Sequence, residues 1–312
     1  MSKYIGTHWG TYEVKENKEK KIFLDYWDLD SNPTKFGLNL VDSATDNLRI
    51  KQPYIRKGWL ENKGKSDYKR GKDKFISVTW DDAFEIAANE LLKTKETFGN
   101  SSIYAGSYGW ASAGRFHHAK SQVNRFFNMF GGFSSSYQSY SYAAAQTLLP
   151  HIIGLDLYST LEEHNSWNAL SEDCELVVMF GGMSLKNSKV SSGGVGKHTT
   201  ELGMKKCLNN GTSFINISPQ KNDSPDFLKA QHISIRPNTD TALMLSIAYI
   251  MIKNNSYDKG FIKKYTSGFD EFASYVLGKK NNPPCSPEWA SNITNIPIKE
   301  INSLADKILS KK

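Results

Sequence analysis

Cysteine is scarce in this chain: Cys174, Cys207 and Cys285 are the three among 312 residues. They lie far apart and form no C-x-x-C pair, which argues against zinc ribbons, iron–sulfur ligation, thioredoxin-like redox chemistry and a disulfide framework. No stretch approaches the roughly 18 uninterrupted apolar residues of a membrane span. The first ten residues carry one lysine and neither an apolar h-region nor a twin arginine, so the expected compartment as written is the cytoplasm, with the periplasm as the alternative. Also absent are G-x-x-x-x-G-K-[ST], G-x-G-x-x-G, H-x-x-x-H and G-x-S-x-G, and no paired-carboxylate spacing stands out, which leaves hydrolase readings unsupported.

What is present is enough to build one or two cores. Apolar residues make up 39% of the chain, and 7 Trp, 15 Tyr and 16 Phe are a generous supply of rings that need either a core or a ligand to stack on. The formal charge of +7 raises the question of nucleic acid. Residues 15–21 and 57–74, however, mix their lysines with acids, Gly and Asn, the composition of solvated loops, so no nucleic-acid partner is expected.

Residues 1–55 lack helical periodicity and show turn signals at Ser31-Asn32-Pro33 and Gly37 between short aromatic and β-branched runs; they read as a small irregular β module. Thr79 then opens a helix as N-cap, with Asp81 and Asp82 in its first turn, Phe84, Ala87, Ala88, Leu91 and Leu92 at helical spacing, and Gly99 past its end. Residues 102–105 read as a short buried strand running into Gly106-Ser107-Tyr108-Gly109-Trp110. A second helix is expected over 115–130, with His117 and His118 as structural histidines within it. A third is expected over 142–149, ended by Pro150. A β-α-β unit follows: strand 176–180, a loop at Gly181-Gly182, helix 199–210 and strand 213–217, which implies a parallel sheet with a right-handed crossover. Strand 232–235 and helix 239–253, capped by Asn238 or Thr239, extend it. The expected fold class is α/β: the N-terminal β module, then α/β layers with a doubly wound, mostly parallel sheet.

Two loops are placed for chemistry, because ligands of open parallel sheets bind at the carboxyl ends of strands. In the first, after Gly181-Gly182, Lys186 is a point charge suited to phosphate, and Asn187 and Ser188 carry side-chain donors; the simpler reading is a plain turn. The second holds Tyr108 and Trp110 beside glycines that give their rings little local shelter. They are either core or pocket lining. Ser141 just precedes a helix: its default role is an N-cap, and the helix dipole would equally favour a deprotonated serine oxygen there as a metal ligand.

The run Gly106-Ser107-Tyr108-Gly109-Trp110-Ala111-Ser112-Ala113-Gly114-Arg115-Phe116-His117-His118-Ala119 closely resembles a motif of the dimethyl sulfoxide, trimethylamine N-oxide and biotin sulfoxide reductases, which belong to the bis-molybdopterin guanine dinucleotide oxidoreductases. Thr7-His8-Trp9-Gly10-Thr11-Tyr12, residues 137–150, Leu185-Lys186-Asn187-Ser188 and Pro237-Asn238-Thr239-Asp240 are similar to segments of that family in the same order. The resemblance implies Ser141 as the protein ligand of molybdenum. It implies Tyr108 and Trp110 as catalytic donors to the transferred oxygen. Gly109, Trp110, Lys186, Asn187, Ser188, Ser218 and Asp240 are implied as cofactor contacts, Ser218 standing where many relatives have Asp and Asp240 pairing with the guanine edge.

The implied activity is two-electron reduction of a sulfoxide or N-oxide by oxygen-atom transfer, with an external electron donor such as a c-type cytochrome, a quinol-linked protein or a thioredoxin-like reductant. Molybdenum with bis(molybdopterin guanine dinucleotide) and no iron–sulfur cluster is the implied cofactor set. The implied domains are 1–55, the N-terminal β-rich module; 56–150, with the metal-ligand segment; and 151–312, a Rossmann-like cofactor-binding layer. Members of the family are much longer, so the chain reads as an N-terminal portion, monomeric when complete and inactive alone. The rival reading is a non-catalytic nucleotide-binding module built on the Gly181 loop.

Overall fold

The computed structural model describes residues 3–62, 71–107 and 118–311. The chain divides into two compact units, one of Met1–Glu162 with Lys189–His198, the other of Glu163–Ser188 with Thr199–Lys312.

The first unit opens with an antiparallel sheet in the order β1 (Lys3–Thr7), β2 (Gly10–Glu16), β3 (Ile22–Tyr26). Tyr12 of β2 is its anchor. The ring is fully buried, and the hydroxyl donates to Thr34 O at 2.8 Å while accepting from Gly37 N at 3.2 Å. A single-turn helix α1 (Leu40–Thr45), a β-ribbon of β4 (Tyr54–Arg56) and β5 (Phe75–Ser77), and the short α2 (Lys57–Glu61) between them complete the module.

Four helices follow: α3 (Trp80–Phe98), α4 (Ala119–Met129), α5 (Ala143–Ile152) and α6 (Leu157–Glu162). The start of α3 is as expected, with a full capping box in which Thr79 Oγ1 accepts from Asp82 N. Three other boundaries differ from expectation. Residues 102–105 form a single parallel bridge, Tyr104 to Ser134, in place of a strand. Among the described residues the next helix starts at Ala119, and His118 stands at its N-cap, its Nδ1 accepting from Ser121 N at 3.2 Å; His117 lies outside the described residues. Pro150 does not end α5. Proline lacks only its own N–H, and the helix runs on to Ile152, closed by Ile153 N donating to Leu149 O.

The second unit is a three-layer α/β/α sandwich. After α7 (Trp167–Asp173) come β6 (Leu176–Phe180), α8 (Thr200–Asn209), β7 (Ser213–Ile217), β8 (Gln231–Ile233) and α9 (Asp240–Lys253), the strands forming a parallel sheet in the order β6-β7-β8. Period-2 alternation sends side chains to opposite faces. Val178, Ile215, Ile217 and Ile233 join Leu243, Ile247 and Ile250 of α9 in one core, whereas Val177, Met179 and Phe214 join Trp167, Met204 and Cys207 on the other face. Helices α10 (Lys259–Tyr265), α11 (Phe269–Val276), α12 (Pro287–Thr294) and α13 (Ile298–Leu309) lie beyond the elements expected from sequence. Ala290 of α12 and Ile301 and Leu304 of α13 enlarge the α9 core.

Candidate functional site

Parallel pairing puts the carboxyl ends of β6, β7 and β8 at one edge of the second unit's sheet, the edge where open α/β sheets take ligands. After β6 the chain turns through Gly181 (φ +81°) and Gly182 (φ +77°). Gly181 N donates to Ile217 O at 2.8 Å and Met183 N to Asp223 O at 2.8 Å, which draws the turn against the β7 connection. A Cβ on Gly182 would sit 2.5 Å from Asp223 O, so only glycine fits there; a Cβ on Gly181 would meet nothing within 4 Å and would face open space. A 3-10 turn, Leu185–Lys189, then carries Lys186 and Asn187 exposed and Ser188 half-buried. The Ser188 hydroxyl donates to Leu185 O at 2.8 Å, so its proton is spent on the turn and it faces a ligand as an acceptor only.

After β7, Ser218 is fully buried. Its Oγ donates to Asp223 Oδ2 at 2.5 Å and accepts from Gln220 N at 3.2 Å, and its carbonyl accepts from His232 Nε2 at 2.8 Å. Ser218 thus shapes the edge from below rather than presenting its hydroxyl. Next to it, Asn216 is 1% exposed; its Nδ2 donates to Lys221 O at 3.3 Å, and its Oδ1 has no partner among the described residues. A buried orphan acceptor at the ligand edge of a sheet is a position that a donor from a bound group would satisfy. At α9, Asp240 is half-buried in the first turn. Thr239 holds the N-cap position but does not cap; its Oγ1 donates to Arg236 O at 2.7 Å instead.

In the first unit, Ser141 is exposed and is not the N-cap of α5. That position is Tyr142, and no side chain caps the helix. The expected capping role therefore fails, and the hydroxyl is not consumed by the helix end. The loop before it is held from behind. Gln146 of α5 accepts from Ser139 N at 3.1 Å through Oε1, the Gln138 amide exchanges hydrogen bonds with Thr147 Oγ1, and Ser139 Oγ accepts from Ser141 N at 3.2 Å. Ser134 N donates to Ile103 O and Ala105 N to Ser134 O, which brings Gly106 alongside the segment leading to Ser141. Tyr108, Gly109 and Trp110 lie outside the described residues.

The segment after the Leu185–Lys189 turn is clamped within the first unit. Val195 N donates to Thr7 O, Ser191 N to His8 O, and Lys189 Nζ to Asn32 O at 2.6 Å. The strongest tie is Asp30 with His198, Oδ2 to Nδ1 at 2.6 Å, both side chains essentially without exposure. Asp30 Oδ1 also accepts from His198 N at 3.3 Å and Asn32 N at 3.1 Å. Burial pushes the Asp30 carboxyl up, but the His198 ring, the two N–H donors and the imidazole's Coulombic attraction outweigh it and hold the acid below the usual carboxylate range. Sequence reasoning missed this pair, Gln146 and Asn216. The two acid–base partners stand 168 positions apart, and no local spacing signals such a pairing.

Compared with known proteins, residues 49–309 match the family model described as molybdopterin oxidoreductase. The chain is 33% identical over 309 residues to the dimethyl sulfoxide/trimethylamine N-oxide reductase of Rhodobacter capsulatus, covering 98% of this chain and 37% of the relative. It is 38% identical over 277 residues to the biotin sulfoxide reductase of Cereibacter sphaeroides, covering 88% and 37%, and 34% identical over 307 residues to the trimethylamine-N-oxide reductase of Haemophilus influenzae, covering 98% and 37%. The chain thus spans little more than a third of the length of these relatives. Among solved structures, acetylene hydratase from Pelobacter acetylenicus has the same fold over 97% of this chain and 38% of its own, with a TM-score of 0.65 at 19% identity.

Proposed function

The chain belongs to the molybdopterin oxidoreductase family, and on that premise we propose that it is the N-terminal portion of a reductase for sulfoxides or N-oxides. The names of its relatives support that substrate class. The observation that carries the reading is Ser141, an exposed serine set just before α5 and not used as its cap, on a loop fixed by Gln146 and Thr147. A hydroxyl left outside the helix's own hydrogen bonding is the donor that a metal ligand requires.

The residues present fit the cofactor that the family name implies. The Gly181 turn lets a ligand approach the backbone, Asn216 Oδ1 awaits a donor, Lys186 supplies positive charge for a diphosphate, and Asp240 supplies a carboxylate for a base edge. When bound, a molybdenum–pterin group supplies the two-electron redox chemistry. The chain's residues would do the rest: in the second unit Lys186 and Asn187 would orient the diphosphate, in the first Ser141 Oγ would hold the metal, and Gly109 and Trp110, outside the described residues, would add cofactor contacts. Tyr108 and Trp110 donate hydrogen bonds to the substrate oxygen. The substrate takes up two electrons and two protons and leaves as sulfide or amine plus water. We assign the cofactor the bis(molybdopterin guanine dinucleotide) form, without an iron–sulfur cluster, and the enzyme an external electron donor and a monomeric state when complete.

Acid hydrolysis of the complete enzyme should then release two equivalents of GMP per molybdenum. X-ray absorption at the molybdenum edge should show one protein oxygen ligand in the wild type, replaced by sulfur in Ser141→Cys. A Ser141→Ala enzyme with unchanged metal spectra and turnover would reject the assignment.

A further inference from the structure

Residues 190–197 have a composition that resists order. They include Gly193, Gly194 and Gly196, whose backbone loses more freedom on being fixed than any other residue's. Polar ties nevertheless close the segment at both ends. At its start Lys189 Nζ donates to Asn32 O at 2.6 Å, and Lys189 O faces His198 Nε2 at 3.4 Å. At its end His198 is buried, with Nδ1 2.6 Å from Asp30 Oδ2. Gly10 makes room for the ring: a Cβ there would lie 3.2 Å from His198 Cε1, on a backbone at φ +139°. Exchanging a buried ion pair for apolar residues is often neutral for stability, so net stability does not account for this one. What the pair does supply is a single fixed geometry at Lys189.

Lys189 is the last residue of the 3-10 turn Leu185–Lys189, in which Lys186 and Asn187 stand exposed. The turn's internal ties are local: Asn187 N donates to Ser184 O at 3.0 Å and Ser188 Oγ to Leu185 O at 2.8 Å. Turns of this kind have poor hydrogen-bond geometry and little hold of their own. The end at Lys189 is fixed from outside the turn, through both its ammonium and its carbonyl. We propose that His198, oriented by Asp30, is a positioning residue for the cofactor: it fixes Lys189 and so keeps Lys186 and Asn187 in the arrangement that meets a diphosphate. Donors set in place before binding spare the ligand the cost of ordering them. This rests on Lys186 and Asn187 being cofactor contacts.

The test uses the complete enzyme and reads GMP released by acid hydrolysis per protein, amide exchange at residues 187–189, and melting temperature. In His198→Asn the amide nitrogen takes the place of Nδ1 beside Asp30, and nothing reaches Lys189 O; in His198→Gln it takes the place of Nε2 beside Lys189 O. His198→Asn should speed exchange at 187–189 about tenfold and retain about half or less of the wild-type GMP. His198→Gln should retain more GMP than His198→Asn while melting no higher. Lys189→Met, which removes the tie to Asn32 O and leaves the buried pair in place, should also speed exchange and lower GMP, and it serves should the His198 variants fail to fold. Lys15→Ala, which breaks the exposed Lys15–Asp25 pair in the same unit, should change neither. Lys186→Ala combined with Asn187→Ala should lower GMP. Wild-type GMP in that double variant would remove the turn from the cofactor site, and the proposal with it. Lowered GMP there, beside wild-type GMP and exchange in His198→Asn and Lys189→Met, would overturn the role of His198 alone. A GMP loss as large in His198→Gln as in His198→Asn, following only the melting temperature, would overturn it too.

Discussion

Among the described residues His198 is the one side chain bonded to the Asp30 carboxylate, and replacing it with alanine leaves that buried group with two backbone N–H donors, those of Asn32 and residue 198. Breaking a buried pair by deleting one partner costs about 3–5 kcal/mol, because the remaining charge stays desolvated. For a body of this size that lowers Tm by roughly 6–20 °C. The dependence on pH has a definite sign. The folded acid titrates below its unfolded value, so its contribution is complete above pH about 4 and disappears as the pH falls through the lower folded pKa. Thermal melts followed by circular dichroism for wild type, His198→Ala and Asp30→Asn from pH 7 to pH 3 read both effects. The gap between wild type and Asp30→Asn should narrow as the pH falls through the lowered folded pKa of Asp30. Hydrogen exchange should meanwhile show the 189–198 segment opening in His198→Ala, since its ties to Thr7, His8 and Asn32 are single hydrogen bonds. A destabilisation under about 1 kcal/mol, the range of exposed ion pairs, or a gap that widens as the pH falls, would refute the reasoning.

Gln146→Ala should destabilise the chain by only about 1 kcal/mol, the worth of one hydrogen bond, yet raise amide exchange at Ser139 and reduce turnover of the complete enzyme through the position of Ser141. Gly182→Ala should cost about 2–4 kcal/mol in denaturant melts, from left-handed backbone strain plus a Cβ pressed on Asp223 O. Gly181→Ala should cost about 1–2 kcal/mol from strain alone, and equal losses would contradict the packing described. In native protein near pH 8, a thiol reagent should label Cys174 first. Cys207 and Cys285 are buried and desolvation pushes both thiols up, so they should react only on unfolding.

Much of the second unit was legible because its signals are local. Strand Leu176–Phe180 is an apolar run closed by Gly181-Gly182, strand Ser213–Ile217 follows the helix stop at Asn210-Gly211, and the structure bears out both ends of each. Thr79 was equally plain, since a cap and its partner lie three residues apart. Expectation failed where a residue type has two uses. Pro150 sits inside α5, where losing one N–H did not end the helix, and Ser141 stands one position too early to cap it because Tyr142, with non-helical backbone (φ −153°, ψ 33°), takes the cap position. The helical spacing of Phe84, Ala87, Ala88, Leu91 and Leu92 placed α3 correctly, although none of its residues is buried. The Asp30–His198 clamp, Gln146 behind the Ser139 turn and the orphan Oδ1 of Asn216 depend on contacts made only after folding.

The central claim is that Ser141 holds molybdenum in a reductase of which this chain forms the N-terminal portion. The most direct measurement is made on the complete enzyme: molybdenum content together with sulfoxide- and N-oxide-dependent oxidation of a reduced dye, for wild type and Ser141→Ala. The account predicts stoichiometric metal and turnover in the wild type, with turnover lost and the metal spectrum altered in Ser141→Ala while the fold is retained. Full turnover in Ser141→Ala, or a correctly folded wild-type enzyme that takes up no molybdenum, would contradict it.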